Sequence, residues 1–590
     1  MRFYSINYFS KKLFQYRCTT KRILFYNQVC KVLIECPGKR GLSTVLRVKD
    51  QSYRNSDVPE NFNFASDVID EWAQKERDGL RPSTNPAFWY VSDDGKEVKF
   101  SYQELEYSTK KIASIFEQQC GIKRGDCAIV MLPKIPEFWL VNIAAIREGF
   151  VFAPVNMMMT LKDLEHRFKS LQPSSVIAHE SVTDIIDEAT KSVPSLKSKI
   201  VVSEKPNRKS EWFDLNHCKS DVANHKCATT RSDETLMIYF TSGTTGYPKM
   251  VEHTHASFSF SIRDYGKFGL DLTPDNIVWS MADTGWSFTA YNFFGAWSMG
   301  GCLFIHQLSK FSSKKTLETL CKYPIDTLAS APLVYQSLLG ENLEENKFQK
   351  LEFLVSGGDA LSKGLAEKWF ARTGLRLYNG YGQSETTGLI AQQKSFEYRF
   401  GAMGKPMPGV NLAIVDENEN VVSPGVLGEI VVDRKTAIGL FKGYKNNPET
   451  NKAVFREKYY HTGDLAYYDK DGYYWFKGRK DDVINSSGYR IGPTEVEDSI
   501  VVHPAVSEAA VVGSPDKDRG EVVKAFIVLK SSVEPSEKLI KEIQEHCKQT
   551  TAPYKYPRKI EFVTELPKGP SGKVKRSELK KREKEKASKN

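Results

Sequence analysis

A chain of 590 residues is longer than one hydrophobic core supports, so two or more domains are expected; 40% hydrophobic and 26% charged residues describe a globular protein, and no apolar run reaches the roughly 18 to 20 residues of a bilayer-spanning helix. The formal charge of +10 suggests a polyanion binder until it is located: residues 1–49 hold eleven Lys and Arg against the single acid Glu35, and residues 568–590 hold ten against three Glu. The stretch between is mildly acidic, which excludes nucleic acid as the natural partner of the body of the protein.

Residues 1–47 are rich in Arg, Lys, Ser, Tyr and Phe and nearly free of acid, the composition of a mitochondrial transit peptide, with a basic arm on a membrane surface as the alternative. Globular patterning begins near Val48–Tyr53. Ten cysteines lie scattered without a C-x-x-C pair, and three (Cys18, Cys30, Cys36) fall in the leader. That is neither a zinc framework nor a disulfide scaffold, and it suits a reducing compartment such as the mitochondrial matrix.

After the leader, Phe88–Val91 and Glu97–Phe100 flank Asp93-Asp94-Gly95-Lys96 and predict a hairpin with the Asp-Gly pair at the bend. Ser101-Tyr-Gln-Glu104 reads as a capping box that opens a helix with Leu105, Ile112 and Phe116 on one face. An apolar strand at 127–132, a helix over 137–148 and a strand at 151–155 follow. The alternation recurs at 277–281, 289–298 and 302–306, and again at 351–355 with a helix after Ser362. Buried strands separated by helices imply parallel sheets covered on both faces. From Val410 to Gly478 the pattern changes to short, aromatic-rich strands with Gly, Pro and Asn turns, which predicts a small barrel or sheet appended to the α/β part. Beyond Arg479 a compact α+β unit is expected: a hairpin, a helix from Pro493, strands at 506–512 and 524–529, a helix at 536–548 and a charged tail. The expected domains are 48–480, large, and 481–590, small and mobile.

The strongest local signal is Tyr239-Phe-Thr-Ser-Gly-Thr-Thr-Gly-Tyr-Pro-Lys249. Gly243 and Gly246 let the backbone approach a polyphosphate, Thr241, Ser242, Thr244 and Thr245 supply hydroxyls, Tyr247 and Pro248 complete the turn, and Lys249 adds a point charge. A Walker loop is excluded because position 248 is proline and no Gly-Lys-Ser/Thr follows. A flexible surface loop is the bland alternative. The segment resembles the signature loop of the adenylate-forming enzymes: acyl-CoA synthetases, luciferases and the adenylation domains of peptide synthetases.

Further motifs follow in that family's order. Asn379-Gly380-Tyr381-Gly382-Gln383-Ser384-Glu385-Thr-Thr-Gly388 resembles the second nucleotide motif. The resemblance implies that Tyr381 stacks on adenine, Ser384 meets a phosphate and Glu385 holds Mg²⁺, a cation that takes one or two carboxylates beside phosphate oxygens. Tyr460-His-Thr-Gly-Asp464 resembles the segment whose Asp accepts from both ribose hydroxyls. Gly478-Arg479-Lys-Asp481-Asp482 resembles the interdomain junction, with Arg479 near the ribose and Asp481 as hinge. Ser356-Gly-Gly-Asp359 resembles the adenine-side turn, with Asp where the family often has Glu. Leu566-Pro-Lys-Gly-Pro-Ser-Gly-Lys573 resembles the loop of the mobile catalytic lysine. Lys573, Glu385 and Thr241 are therefore the implied catalytic set, and ATP, Mg²⁺ and coenzyme A the implied substrates and cofactor.

Asn485-Ser-Ser-Gly-Tyr-Arg490 resembles the hairpin that lines the pantetheine tunnel, which makes Ser487, Gly488, Tyr489 and Arg490 the CoA candidates, joined by Arg519 and Lys548. Residues 484–493 and 551–560 bring the chain closest to the mitochondrial medium-chain acyl-CoA synthetases. Acetate-specific relatives have Trp where this chain has Gly382, so Gly382, with Trp286, is expected to border an acyl pocket larger than two carbons. An adenylation enzyme serving a carrier protein and a relative that binds adenylates without chemistry are the alternatives. Two serine-hydrolase readings fail, since Gly382-Gln-Ser384 lacks the second glycine of a nucleophile elbow and the Thr-rich loop is phosphate-like. His253, His255, His306 and His461 lack metal-ligand spacing, so structural roles are expected of them. The partners expected are a small carboxylic acid, ATP and CoA; oligomeric state stays open.

Overall fold

Buried on both faces, the all-apolar strands predicted for the first half assemble into two mostly parallel sheets. The structure is a computed structural model that describes residues 55–206, 209, 211–218, 225–241, 248–486, 489–516, 519–551, 553–569 and 572–589. The leader 1–47, the loop residues Ser242–Tyr247, and Ser487 and Gly488 lie outside that set.

One sheet has nine strands in the order 405–406, 387–391, 377–383, 353–356, 327–330, 277–280, 302–306, 88–91 and 97–100. Its six central strands run parallel and its edges are antiparallel. The second sheet has eight strands, ordered 443–444, 249–254, 235–241, 151–154, 127–131, 175–179, 198–202 and 213–214. Every residue of Val151–Pro154, Thr327–Ser330 and Phe353–Ser356 is buried, as strands covered on both faces require. The helix Ser287–Ser298 is buried along its length after the first residue, in keeping with its nearly uniform apolar surface.

Local chemistry explains the boundaries. Ser101 caps Tyr102–Gln118 in a complete capping box, with Leu105, Ile112 and Phe116 buried. Gly95, at φ +84°, turns the 88–91/97–100 hairpin. Ser362 caps Lys363–Thr373, and Ser536 caps Glu537–Thr550.

The segment after Val410 forms a five-stranded antiparallel sheet from Leu412–Val415, Gly428–Asp433, Phe455–Arg456, Tyr459–Tyr468 and Tyr474–Arg479. A fourth sheet follows, with Gly520–Leu529 at its centre, Val506–Asp516 along one edge and Pro493–Val502 packed on it.

The end of the chain differs from the expected solvated tail. Arg576–Lys589 is a helix that packs on strand Val506–Asp516, burying Leu579 and Glu583. Lys524, itself buried, holds Glu583 at 2.7 Å, and the Ser514 hydroxyl donates to the other oxygen at 2.8 Å. Charge composition hid this face because two apolar or paired positions suffice to dock a helix that is basic elsewhere. Glu583→Ala leaves Lys524 with only Glu561, and is expected to cost about 3 kcal/mol, the low end for breaking a buried pair. A denaturant melt with intact and variant protein measures it.

Candidate active site

Three of the parallel strands of the nine-stranded sheet end at one crevice, the position where open α/β sheets place ligands. Ile277–Ser280 leads to Trp286, Phe353–Ser356 leads to Gly357-Gly358-Asp359, and Leu377–Gln383 leads to Ser384-Glu385. The crevice opens into a cleft of about 1680 Å³ that is also lined by Thr241, Lys249, Tyr444, Asp464, Arg479, Asp481 and Lys573. Residues from all four sheets or their connecting loops thus meet at one cavity.

The Ser384-Glu385 turn is held from three sides. Tyr291 donates its hydroxyl to the Gln383 carbonyl at 2.7 Å, and the Ser287 and Ser384 hydroxyls lie 2.9 Å apart. The His253 Nε2 is 2.6 Å from the Ser384 carbonyl and its Nδ1 is 3.1 Å from the Ser257 hydroxyl. Burial pushes this histidine down to about 4, so it is neutral, with the proton on Nε2 facing the carbonyl and Nδ1 accepting from Ser257. It is a structural residue, as its spacing implied.

Glu385 is driven above the ordinary carboxylate range by burial, an effect that its hydrogen bond from Tyr444 opposes. The Tyr444 hydroxyl donates to Oε1 at 2.8 Å, and no other described side chain bonds the carboxylate. A cleft-wall carboxylate with acceptor capacity left over is the donor Mg²⁺ requires, so the residues present fit that ion. Lys249 Nζ stands 5.1 Å from the centre of the Tyr444 ring. Thr241 pairs with Lys249 across the antiparallel strands 235–241 and 249–254, and both residues line the cleft.

Asp464 differs from expectation in how its oxygens are used. Oδ2 accepts from the Tyr381 hydroxyl at 2.7 Å and from Gln383 Nε2 at 2.6 Å, and Oδ1 accepts from Arg479 Nη1 at 3.1 Å. One acceptor position remains, on Oδ1, so contact with both ribose hydroxyls requires Tyr381 or Gln383 to release its bond. Arg479 also donates to the Thr462 carbonyl at 2.8 Å and to Asp481 at 3.3 Å. Burial alone would lower its basicity, but the Asp464 and Asp481 carboxylates outweigh that and hold it charged.

Gly382 requires a correction. A Cβ built there would lie 1.9 Å from the Thr387 carbonyl oxygen and 2.9 Å from its carbon, at the point where the 377–383/387–391 register shifts. The glycine is needed by the hairpin's own backbone and does not mark space left by a missing tryptophan. Gly382→Ala is therefore expected to destabilise the fold by about 1–3 kcal/mol or more, whatever the substrate. A lowered unfolding midpoint checks this, and an unchanged one would show that the hairpin yields. Trp286 does line the cleft, where it packs 3.6 Å from the Cβ position of Gly358.

Lys573 is exposed and lines the cleft on a tight loop: Gly569 N–H donates to its carbonyl at 2.8 Å, and Lys568 bridges to Val574. Gly572, at φ +77°, sets the loop against Leu333. Of the hairpin 484–491, the described side chains of Ile484, Ser486 and Ile491 are buried and do not line the cleft. The side chains of Tyr489 and Arg490 lie outside the described set. Arg519, whose N–H donates to Asp516, and Lys548, paired with Glu545 at 3.1 Å, are not brought to the cleft.

Sequence reading missed Tyr444 and gave no role to the buried Tyr460, whose hydroxyl donates to Gln383 at 2.9 Å. The only local sign of Tyr444 is its place three residues before Asn447-Pro448, which cap and start a helix and so fix the segment.

Residues 76–445 match the family model of the AMP-binding enzymes, and residues 495–573 match that of the AMP-binding enzyme C-terminal domain. The chain belongs to the AMP-binding enzyme family. It is 45% identical to human mitochondrial acyl-coenzyme A synthetase ACSM3 over 532 residues, covering 89% of this chain and 90% of the relative. Mouse mitochondrial acyl-coenzyme A synthetase ACSM5 is 43% identical and covers 94% and 96%. Among solved structures of the AMP-binding enzyme fold, the anthranilate CoA ligase AuaEII in complex with anthranoyl-AMP superposes with a TM-score of 0.81 at 27% identity, over 90% of this chain and 99% of that one. A benzoate CoA ligase from Burkholderia xenovorans LB400 gives 0.76 at 25% identity, over 88% and 100%. The large α/β part followed by a small C-terminal domain is thus the fold expected from the strand and helix pattern.

Proposed function

We propose that this AMP-binding enzyme is an ATP-dependent medium-chain acyl-CoA synthetase of the mitochondrial matrix. The observation that carries the reading is the convergence of Lys249, Glu385, Arg479 and Lys573 on one cleft from four separate segments, in a cavity that Trp286, Phe288 and Tyr291 also line. The 45% identity to mitochondrial acyl-CoA synthetases and the composition of residues 1–47 support it.

A carboxylate does not react with a thiol at neutral pH, because oxide would have to leave. In the first step a carboxylate oxygen attacks the α-phosphorus of ATP and pyrophosphate departs, which leaves the acid as acyl-AMP. Lys573, Lys249 and the Thr241 hydroxyl are placed to donate to the phosphate oxygens on which negative charge builds, and one such donor contributes about 10²- to 10³-fold. Mg²⁺ bound at Glu385 would supply further neutralisation of the triphosphate. In the second step the CoA thiol attacks the acyl carbon, its proton is lost, and AMP leaves with the former carboxyl oxygen. Asp481 is the proposed hinge between the parts 48–480 and 481–590, so that the 484–491 hairpin replaces the Lys573 loop at the adenylate. Ser487, Gly488, Tyr489 and Arg490 then serve CoA, and Arg519 and Lys548 its phosphates.

The aromatic lining also favours flat aromatic acids as a second substrate class, in line with the benzoate and anthranilate ligases of similar fold. AMP release in the presence of ATP and CoA, measured across straight-chain acids of two to sixteen carbons and benzoate-like acids, tests the reading. A maximum at six to ten carbons is expected. No CoA-dependent AMP release with any acid would reject it.

A further inference from the structure

Two groups that the proposed chemistry assigns to the polyphosphate, Lys249 and Glu385, belong to different sheets. Lys249 opens strand 249–254 of the eight-stranded sheet, and Glu385 follows strand 377–383 of the nine-stranded one. A single side chain bridges them. The Tyr444 hydroxyl donates to Glu385 Oε1 at 2.8 Å, and the Lys249 ammonium stands 5.1 Å from the centre of the same ring.

Tyr444 is itself immobilised at every level. Its backbone pairs with Val251 as the edge of the eight-stranded sheet. The Asn451 amide clamps it twice, its oxygen accepting from Tyr444 N–H at 2.7 Å and its nitrogen donating to the Tyr444 carbonyl at 2.9 Å. The ring is 6% exposed and meets Phe441 edge-on at 4.9 Å. So firm a support is not needed for packing alone, since Phe would fill the same space. What only the tyrosine hydroxyl adds is a fixed direction for one carboxylate oxygen, Oε1. Among the described residues Glu385 receives no other side-chain hydrogen bond, and Lys249 forms no ion pair.

From this geometry we infer that Tyr444 is the positioning residue of the site: its hydroxyl locks the Glu385 carboxylate for a divalent cation carried by a nucleoside triphosphate, and its ring holds Lys249 beside that cation's phosphates. The inference rests on Glu385 being the cation ligand. Carboxylate ligands are oriented by hydrogen-bonded partners of this kind, and loss of such a partner typically weakens metal affinity by about 10- to 100-fold. The cation–π contact keeps the Lys249 ammonium over the Tyr444 ring at the cleft wall, where the phosphates would lie.

The test is Mn²⁺ binding to the full-length protein in the presence of ATP and without acid or CoA, followed by electron paramagnetic resonance. Tyr444→Phe keeps the ring and removes only the hydroxyl. It is expected to weaken Mn²⁺ binding at least about tenfold, to lower the unfolding midpoint modestly while unfolding stays cooperative, because a buried carboxylate loses one bond, and in turnover to raise the Mg²⁺ concentration needed for half-maximal rate. Tyr444→Leu is expected to show the same loss together with a raised KM for ATP, because Lys249 loses its support. Mn²⁺ affinity within twofold of wild type in Tyr444→Phe overturns the inference. Glu385→Gln, measured alongside, separates the two levels: if it too binds Mn²⁺ normally, Glu385 is not the ligand and the underlying assignment fails, whereas a loss in Glu385→Gln but not in Tyr444→Phe overturns only the role of Tyr444.

Discussion

Lys573→Ala should lose adenylate formation by about 10²- to 10³-fold while thioester formation from supplied acyl-AMP continues near the wild-type rate. The side chain is exposed at the cleft, and the loop is held by its backbone, through Gly569 N–H to the Lys573 carbonyl and the Lys568–Val574 bridge. Truncation to alanine therefore removes the ammonium without loosening its carrier. The charge it stabilises exists only while pyrophosphate is leaving. CoA attack puts no new charge on the α-phosphate until AMP departs, and in the proposed cycle the lysine has left the site by then. Pyrophosphate exchange reports the first step and CoA consumption with synthetic acyl-AMP the second. Equal loss of both would show that Lys573 acts on the shape of the small domain and not on the transition state.

The elements that could be read from sequence are those whose cause is local. The capping box at Ser101, the Asp-Gly bend at 94–95 and apolar strands such as Val151–Pro154 each state their structure within ten residues. The two nucleotide motifs and the Lys573 loop were legible for another reason: their residue types and spacing are peculiar enough to carry a resemblance, and the structure brings Lys249, Glu385, Asp464 and Lys573 to one cleft. What stayed hidden depends on partners far along the chain. Asp464 looks like a free acceptor until Tyr381, Gln383 and Arg479 are seen to occupy it. Gly382 looks like a gap until the Thr387 carbonyl is found where a side chain would go. Glu583 looks like one charge in a basic tail until Lys524, 59 residues away, is found beside it.

Asp481→Pro should keep most adenylate formation and lose thioester formation by at least about tenfold, or roughly 1.4 kcal/mol in the barrier. The expectation follows from a conflict of position. The Lys573 loop lines the cleft, and in the proposed cycle the 484–491 hairpin serves the same adenylate in the second step, so the small part of the chain has to turn between the two. The junction is anchored on either side of Asp481: Lys480 N–H donates to the Gly463 carbonyl at 2.7 Å, and Lys580 grips both the Asp481 carbonyl at 2.7 Å and the Asp482 carboxylate at 2.8 Å. The Lys580 contacts tie the 481–482 peptide to the C-terminal helix, so it travels with the small part, whereas Lys480 stays with the large one. The dihedrals of Lys480 and Asp481 are what remains between the two anchors, and hinges concentrate their change in such short stretches. Proline would fix φ near roughly −65° and bar the turn without removing the Lys480 or Lys580 bonds. The variant is judged by the ratio of pyrophosphate exchange to CoA consumption from supplied acyl-AMP. If CoA transfer proceeds at wild-type speed in the folded variant, the pivot lies elsewhere, and the next residues to substitute are Lys480 and Asp482.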